Sequence, residues 1–177
     1  MERYGAFLRG INLGGRRITN DALRGHFEAL GLAEVATFRA SGNVIFAAEE
    51  PEGELGRRIE AGLGDRLGYE VPVFLRSGAE LAAIAARQPF PAAAVAASRG
   101  KLQVQLLAAA PGAAARRAAL AHSGEDRLAI RGRELYWLPS GGISESELDL
   151  KGIERALGPG TVRTMGTIQQ IAARCRA

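Results

Sequence analysis

Apolar residues in the first half of the chain recur with two periods, and each period predicts a different element. Alternation over Tyr4–Ile11 is typical of a strand, which the turn-forming run Asn12-Leu13-Gly14-Gly15 ends. Spacing by three or four residues, as in Leu23, Phe27 and Leu30, is typical of a helix with one buried face. In order, these patterns predict a strand over Tyr4–Ile11, a helix capped by Thr19 or Asn20 and ended by Gly31, strands over Val35–Arg39 and Asn43–Ala47, a helix from Pro51 that carries Leu55, Ile59, Leu63 and Leu67, a strand over Val71–Leu75 and a helix over Ala79–Ala86.

The second half of the chain repeats this order of elements. Its patterns predict a strand over Leu102–Leu107, a helix over Pro111–Ala121, a hairpin of Leu128–Ile130 and Leu135–Leu138 turning at Gly132, a helix over Glu145–Leu157, a strand over Thr161–Arg163 and a helix over Ile168–Ala173. Arg76 and Leu81 match Arg163 and Ile168 at the same spacing, which favours an internal duplication. We therefore predict an α+β fold of two ferredoxin-like βαββαβ halves with antiparallel sheets, each half with an appended helix.

The Ala-rich stretch around the Pro89-Phe90-Pro91 break predicts the boundary between the halves. We expect the first half to cover residues 1–88, a linker to cover 89–100 and the second half to cover 101–177. A sheet with helices on one face leaves its other face to be covered, so the two halves are expected to pack together.

Three stretches of the sequence carry a resemblance to a known family. They are Leu8–Gly15, Ser41–Phe46 and Gln88-Pro89-Phe90, and together they are similar to the bacterial family called "domain of unknown function 1697". The resemblance runs over nearly the whole chain, since Tyr136, Ser146 and Thr161–Thr167 fall where later motifs of that family lie. It implies a pair of ferredoxin-like subdomains and implies no activity.

One motif departs from the pattern of that family. The family typically carries an Arg-Asn-Trp-Asn-Thr run near its end, and the matching stretch here is Arg163-Thr164-Met165-Gly166-Thr167. The arginine and the last threonine remain, whereas both asparagines and the tryptophan are replaced. If the run serves a shared site, that site is altered in this chain; if it packs the last helix, the change is neutral.

Composition limits the classes of partner. The net charge of +4 comes almost wholly from arginine, because Lys101 and Lys151 are the only lysines, and arginine suits bidentate contacts with phosphate. A GC-rich genome would give the same bias, and the charges are spread along the chain. No long apolar run predicts a membrane span, and Cys175 has no partner for a disulfide, so we expect a cytoplasmic protein. We expect no metal and no cofactor.

The predicted topology places one group of polar residues together. In a split βαβ unit, strands one and two are parallel with strand three between them, so both end at the same edge of the sheet. The loop after strand one then lies beside the hairpin that joins strands two and three, at the start of the first helix, where unpaired N–H groups favour an anion. The candidate ligand-binding residues are Arg9, Asn12, Gly14, Gly15, Arg39, Ser41 and Asn43, with Arg163 added from the altered motif and Arg16 and Arg17 nearby.

Several readings of these residues stay open. The glycines and asparagines also fit simple turns. The leading hypothesis is a binding module for an anionic small molecule or nucleic acid. One alternative is an enzyme that acts on a phosphorylated small molecule between the halves, with Glu145 or Asp149 as acid or base. Another is a structural protein that self-associates through strand edges. The sequence identifies no catalytic residue, and it leaves the oligomeric state open.

Overall fold

The computed structural model describes residues 1–39 and 42–176, and it divides into two compact units. The first unit consists of Met1–Ala85 and the chain from Ile168 onward; the second consists of Ala86–Thr167. This division differs from the predicted one in two places. The segment predicted as a linker over 89–100 belongs to the second unit, and the end of the chain belongs to the first.

The first unit has the element order predicted for the first half. Its elements are β1 (Glu2–Leu8), α1 (Asn20–Glu28), β2 (Ala33–Thr37), β3 (Asn43–Ala48), α2 (Glu52–Leu67), β4 (Val73–Ser77) and α3 (Gly78–Ala85). The sheet has the order β2-β3-β1-β4 with all neighbours antiparallel. Alternate residues of β1, such as Tyr4 and Ala6, join Phe27 of α1 and Ile59 of α2 in one core, which the apolar spacing requires.

The ends of β1 and α1 have local causes. β1 stops at Leu8, three residues before the predicted end, because Gly10 has a φ of +72° that leaves the extended conformation. Ile11 is buried in the loop that follows, so its apolar character reflects the core and not a strand. Thr19 is the cap of α1, and its hydroxyl accepts a hydrogen bond from Ala22 N at 3.1 Å.

The second unit repeats the topology. Its elements are α4 (Ala92–Ala97), β5 (Gln103–Leu107), α5 (Ala113–Leu120), β6 (Arg127–Arg131), β7 (Glu134–Leu138), a 3-10 turn (Ile143–Glu145), α6 (Leu150–Leu157) and β8 (Gly160–Thr164), and the boundary between the units falls within α7 (Met165–Arg176). The sheet order is β6-β7-β5-β8, again antiparallel throughout. Ile130 and Leu135 pack with Ile153 of α6 in the core of this unit. The predicted α+β fold of two similar ferredoxin-like halves is confirmed.

The helix predicted over Glu145–Leu157 is shorter than expected. α6 begins at Leu150, and the side chain of Asp149 caps it by accepting a hydrogen bond from Gly152 N at 2.8 Å. Glu145 instead closes the 3-10 turn, where its carboxylate accepts from Gly142 N and pairs with Arg99 at 2.6 Å. Glu145 thus stabilises the 3-10 turn, and Asp149 stabilises the start of α6.

The two arginines matched by spacing occupy equivalent positions. Arg76 lies three residues after Val73, which pairs with the end of β1, and Arg163 lies three residues after Gly160, which pairs with the end of β5. Both strands run beside the central strand of their own sheet.

Among the described residues, no helix has both the length and the apolarity that crossing a bilayer requires.

Candidate functional site

The loop that follows β1 touches the hairpin that precedes β3. Leu8 N donates a hydrogen bond to Gly42 O at 2.8 Å, and Gly42 has a φ of +69°. A methyl group added at Gly42 would lie 2.8 Å from Cγ2 of Ile11, so only glycine permits this approach. The loop and the hairpin therefore lie side by side at the edge of the sheet, as the topology predicts.

The loop over residues 9–18 is held by its own backbone and by one asparagine. Oδ1 of Asn12 accepts a hydrogen bond from Ile18 N at 3.0 Å, and Leu13 O accepts from Arg16 N at 3.1 Å. Gly14 and Gly15 have φ values of +61° and +81°, and a methyl group on either would meet no other atom within 4 Å. The middle of the loop is thus exposed backbone without side-chain cover. Asn12 stabilises a turn, which was the alternative to a ligand-binding role in the sequence analysis.

Arginines surround this exposed backbone. The guanidinium of Arg16 lies 3.9 Å from the centre of the Tyr69 ring, and the Tyr69 hydroxyl donates to Ile11 O at 3.4 Å. Arg17 is exposed on the same loop, and Arg9, half-buried where the loop starts, donates its backbone N–H to Pro72 O at 3.0 Å. Aromatic stacking fixes the position of Arg16 while leaving the edge of its guanidinium group to face solvent.

Arg39 lies on the hairpin side of the same edge. It has a φ of +59°, a conformation uncommon for a residue with a side chain, and its guanidinium donates to Oε1 of Gln170 at 3.3 Å. Phe38, beside it, carries the guanidinium of Arg174 at 4.4 Å from the ring centre. Gln170 and Arg174 come from α7, so the end of the chain packs beside the hairpin within the first unit.

The other predicted site residues are Asn43, Ser41 and Arg163, and each stands differently. Asn43 is completely buried, and its side-chain amide donates to Phe38 O at 3.0 Å, which closes the hairpin. Ser41 lies outside the described residues. Arg163 lies on β8 of the second unit, where it donates to the Thr161 hydroxyl at 2.8 Å and where burial lowers its pKa to about 10.

The altered motif after Arg163 begins a helix. The hydroxyl of Thr164 accepts a hydrogen bond from Thr167 N at 3.2 Å, as a cap of α7 does. Met165 is buried, and its backbone N–H donates to Leu102 O at 2.8 Å beside β5. In this chain the segment has a structural role in joining β8 to α7.

Sequence reasoning did not identify the aromatic and α7 residues of this surface. In the sequence, Phe38 and Tyr69 have the pattern of ordinary strand and loop residues. Gln170 and Arg174 are more than 130 positions from the hairpin, so no local pattern connects them to it. The missing information is where the last helix packs. One available signal is that the segments 9–20, 35–48 and 155–177 contain arginine and no acidic residue.

A second polar cluster lies in the second unit around the carboxylate of Asp126. This buried group accepts hydrogen bonds from the Trp137 indole at 2.7 Å, the Ser146 hydroxyl at 2.5 Å and Ser140 N at 2.7 Å. Burial raises the pKa of the Asp126 carboxyl, but these hydrogen bonds outweigh it, and the net pKa lies below the ordinary value. The hydrogen bonds from Ser140 and Ser146 therefore hold the chain after β7 against Asp126.

His122 and Asp149 form a pair of titratable groups in the same unit. His122 Nδ1 lies 3.0 Å from Asp149 Oδ2, whose other oxygen caps α6. Hydrogen bonding by Gly152 N and the nearby charges of His122 and Arg155 hold the pKa of Asp149 below its ordinary value. Within the described residues, no three His, Cys, Asp or Glu side chains gather as a metal site would require.

Comparison with known proteins places the chain in a family. Among solved structures, the conserved bacterial protein SP0830 from Streptococcus pneumoniae matches with a TM-score of 0.75 and 20% sequence identity, over 100% of this chain and 99% of that one. At this identity the likeness shows the fold alone. No curated protein matches the chain. The sequence profile described as "Protein of unknown function (DUF1697)" matches residues 1–136, so the chain belongs to the DUF1697 family.

Proposed function

We propose that the first unit binds an anionic ligand at the surface formed by the loop over residues 9–18 and the hairpin residue Arg39, hereafter the arginine edge. The ligand is an anion that carries phosphate groups, either a nucleotide or the backbone of a nucleic acid. This function needs no reacting group from the protein, and the arginine edge supplies only cations and backbone.

One observation carries the proposal: three described arginines of the arginine edge, Arg16, Arg17 and Arg39, are not neutralised. Arg16, Arg17 and Arg39 are exposed, and none of them forms an ion pair with a described carboxylate. Four arginines elsewhere do have such partners: Arg3 pairs with Glu34, Arg24 with Asp21 and Glu28, Arg58 with Glu50 and Arg99 with Glu145. Like charges gathered without counterions repel each other, and a bound anion relieves that repulsion.

The geometry of the loop supports phosphate as the anion. Gly14 and Gly15 leave the backbone open, so a phosphate group can approach the loop without meeting a side chain. Arg16 presents a guanidinium held against Tyr69, and a planar guanidinium donates two parallel hydrogen bonds to phosphate oxygens. The loop leads directly into α1, whose cap is Thr19.

The acidic residues considered for an enzyme have other partners. Glu145 is engaged by Arg99 and by the 3-10 turn, and Asp149 is engaged by His122 and by the start of α6. Neither carboxylate is held as an acid or base toward an open surface by these contacts. A binding role therefore has more support than a catalytic one.

The test is titration of the full chain with pyrophosphate and with ATP, by calorimetry at low salt. We expect binding by the natural protein and a loss of about tenfold or more in the Arg9→Ala/Arg39→Ala variant and in Arg16→Ala, since a hydrogen bond between charged groups contributes about 1.5–3 kcal/mol. Arg57→Ala is the matched control, because Arg57 is exposed on α2 outside the arginine edge. Equal affinities in all variants, or no binding of either probe, would refute the proposal.

A further inference from the structure

The arginine edge continues beyond the hairpin onto the last helix. Arg39 donates to Gln170 at 3.3 Å, and Arg174 lies one helical turn further along α7 and donates to Gln170 O at 3.5 Å. The guanidinium of Arg174 lies over Phe38, whose ring also has Arg39 at 5.4 Å from its centre. The hairpin and α7 thus hold two guanidinium groups around one aromatic ring.

The charge on this extension is uncompensated as well. Arg174 is exposed and forms no ion pair with a described carboxylate, and α7 contains no acidic residue. Arg3 donates to the backbone of Arg174, but its own charge is paired with Glu34. The positive strip therefore runs from the loop through the hairpin to α7 on three segments of chain that contain no Asp or Glu.

The strip is wider than a single phosphate group. β1 and β2 are separated by β3, so the segments that follow them start about 10 Å apart across the sheet. The turn of α7 from Gln170 to Arg174 adds about 6 Å. A mononucleotide covers one end of such a strip, whereas a chain of regularly spaced phosphates covers all of it.

We infer that the occupant of the whole strip is a single strand of nucleic acid, an inference that rests on the proposed function and extends it. Two guanidinium groups, Arg16 on Tyr69 and Arg174 on Phe38, are backed by aromatic rings, so each presents an outer face on which an unpaired base stacks. A duplex offers phosphates but keeps its bases paired, so it gains nothing from those faces. Arg39, between them, contacts the backbone of the strand.

The experiment measures fluorescence anisotropy of the full chain with labelled oligothymidylates of 2, 5 and 15 nucleotides and with a 15-base-pair duplex, over a range of salt. We expect affinity to rise with the length of the single strand and to exceed that for the duplex. Arg174→Ala should weaken binding of the 15-mer at least fivefold and reduce the slope of log K against log salt by about 0.7, the value for one phosphate contact on a single strand. Its effect on pyrophosphate binding should be smaller than its effect on the 15-mer.

Two further variants control for structural damage to α7. Arg174→Lys keeps the charge without the planar stack, so it should retain the salt slope and lose affinity for the 15-mer. Arg57→Ala should match the natural protein in every assay. The reaction rate of the buried Cys175 thiol reports whether α7 remains docked in each variant.

Each result separates this inference from the proposed function. Pyrophosphate binding that depends on Arg16 and Arg39, with no gain from strand length, would overturn the inference and leave the proposed function standing. Tighter binding of the duplex, or 15-mer binding that is the same in Arg174→Ala, would also overturn the inference. Binding of neither pyrophosphate nor oligonucleotide would refute both.

Discussion

At the scale of the residue, Gly42 determines whether the loop after β1 can touch the hairpin. In Gly42→Ala the methyl group would lie 2.8 Å from Ile11 and 3.2 Å from Cβ of Leu8, in a conformation with positive φ. We expect the free energy of unfolding to fall by about 2–4 kcal/mol, from left-handed strain and overpacking together. Urea denaturation followed by circular dichroism measures the loss.

Gly15→Ala is the control for that prediction. It has a φ of +81° but no atom within 4 Å of the added methyl, so it should lose only the conformational part, about 1–2 kcal/mol. Equal losses in the two variants would mean that the contact at Gly42 is not tight.

Asp126 is the residue whose charge the second unit requires. Its pKa in the folded chain lies below that in the unfolded chain, so its contribution to stability is complete above about pH 4 and is lost as the pH falls through the folded-state value. We expect Asp126→Asn to lower stability at pH 7. The difference from the natural protein should shrink progressively below pH 4.

The fluorescence of Trp137 reports directly on the stability that Asp126 contributes. The Trp137 indole donates to Asp126, and Trp137 is the only tryptophan in the chain. Urea unfolding followed by its fluorescence between pH 3 and pH 7 gives the two stability curves. Asp65→Asn, at an exposed position on α2, should reproduce the curve of the natural protein. A difference that persists undiminished at pH 3 would contradict this role for the Asp126 charge.

At the scale of the element, the spacing of apolar residues and the positions of turn-forming residues were enough to predict the order of strands and helices. Alternation located the interior of β1, and Thr19 is the observed cap of the two that the sequence offered, Thr19 and Asn20. The start of α6 was predicted wrongly because a distant partner decides the local structure before it. Glu145 begins no long helix because Arg99 and the 3-10 turn hold it, and a sequence window around Glu145 does not include Arg99.

The loop after β1 shows the same limit for the candidate site. Topology predicted that the loop and the hairpin would be neighbours, because that follows from strand order alone. The sequence left open whether Asn12 and Asn43 face a ligand or form turns; in the structure Asn12 accepts from Ile18 N, and Asn43 is buried and donates to Phe38 O. Arg174 was not identified because the sequence pattern does not show against which unit α7 packs.

At the scale of the whole molecule, the two units are alike in topology and unlike in chemistry. Each has a central strand flanked as in the other, with Arg76 and Arg163 in matching positions. Yet the glycine-rich loop after β1 has no counterpart of comparable charge after β5, where the chain reads Ala108-Ala109-Ala110-Pro111-Gly112. The topology is thus repeated, while the arginine edge belongs to the first unit, which also includes the end of the chain.

The division into units predicts where a core substitution acts. Ile171 of α7 is 1% exposed and belongs to the first unit, where it lies over Gly5 of β1; Leu135 is equally buried in the second. We expect Ile171→Ala and Leu135→Ala each to cost about 2–5 kcal/mol. In hydrogen exchange, Ile171→Ala should release amides of β1 and α3 most, and Leu135→Ala those of β5 and β7.

Cys175 gives an independent readout of the same prediction. Burial raises the pKa of its thiol, although the charge of Arg3 acts in the opposite direction. The raised pKa and the buried position both slow its reaction with a disulfide reagent while α7 is docked at Gly78. The thiol should react faster in Ile171→Ala than in Leu135→Ala at equal loss of stability. Faster reaction in Leu135→Ala, together with exchange confined to β5 and β7 in both variants, would place the end of α7 in the second unit and remove Arg174 from the arginine edge.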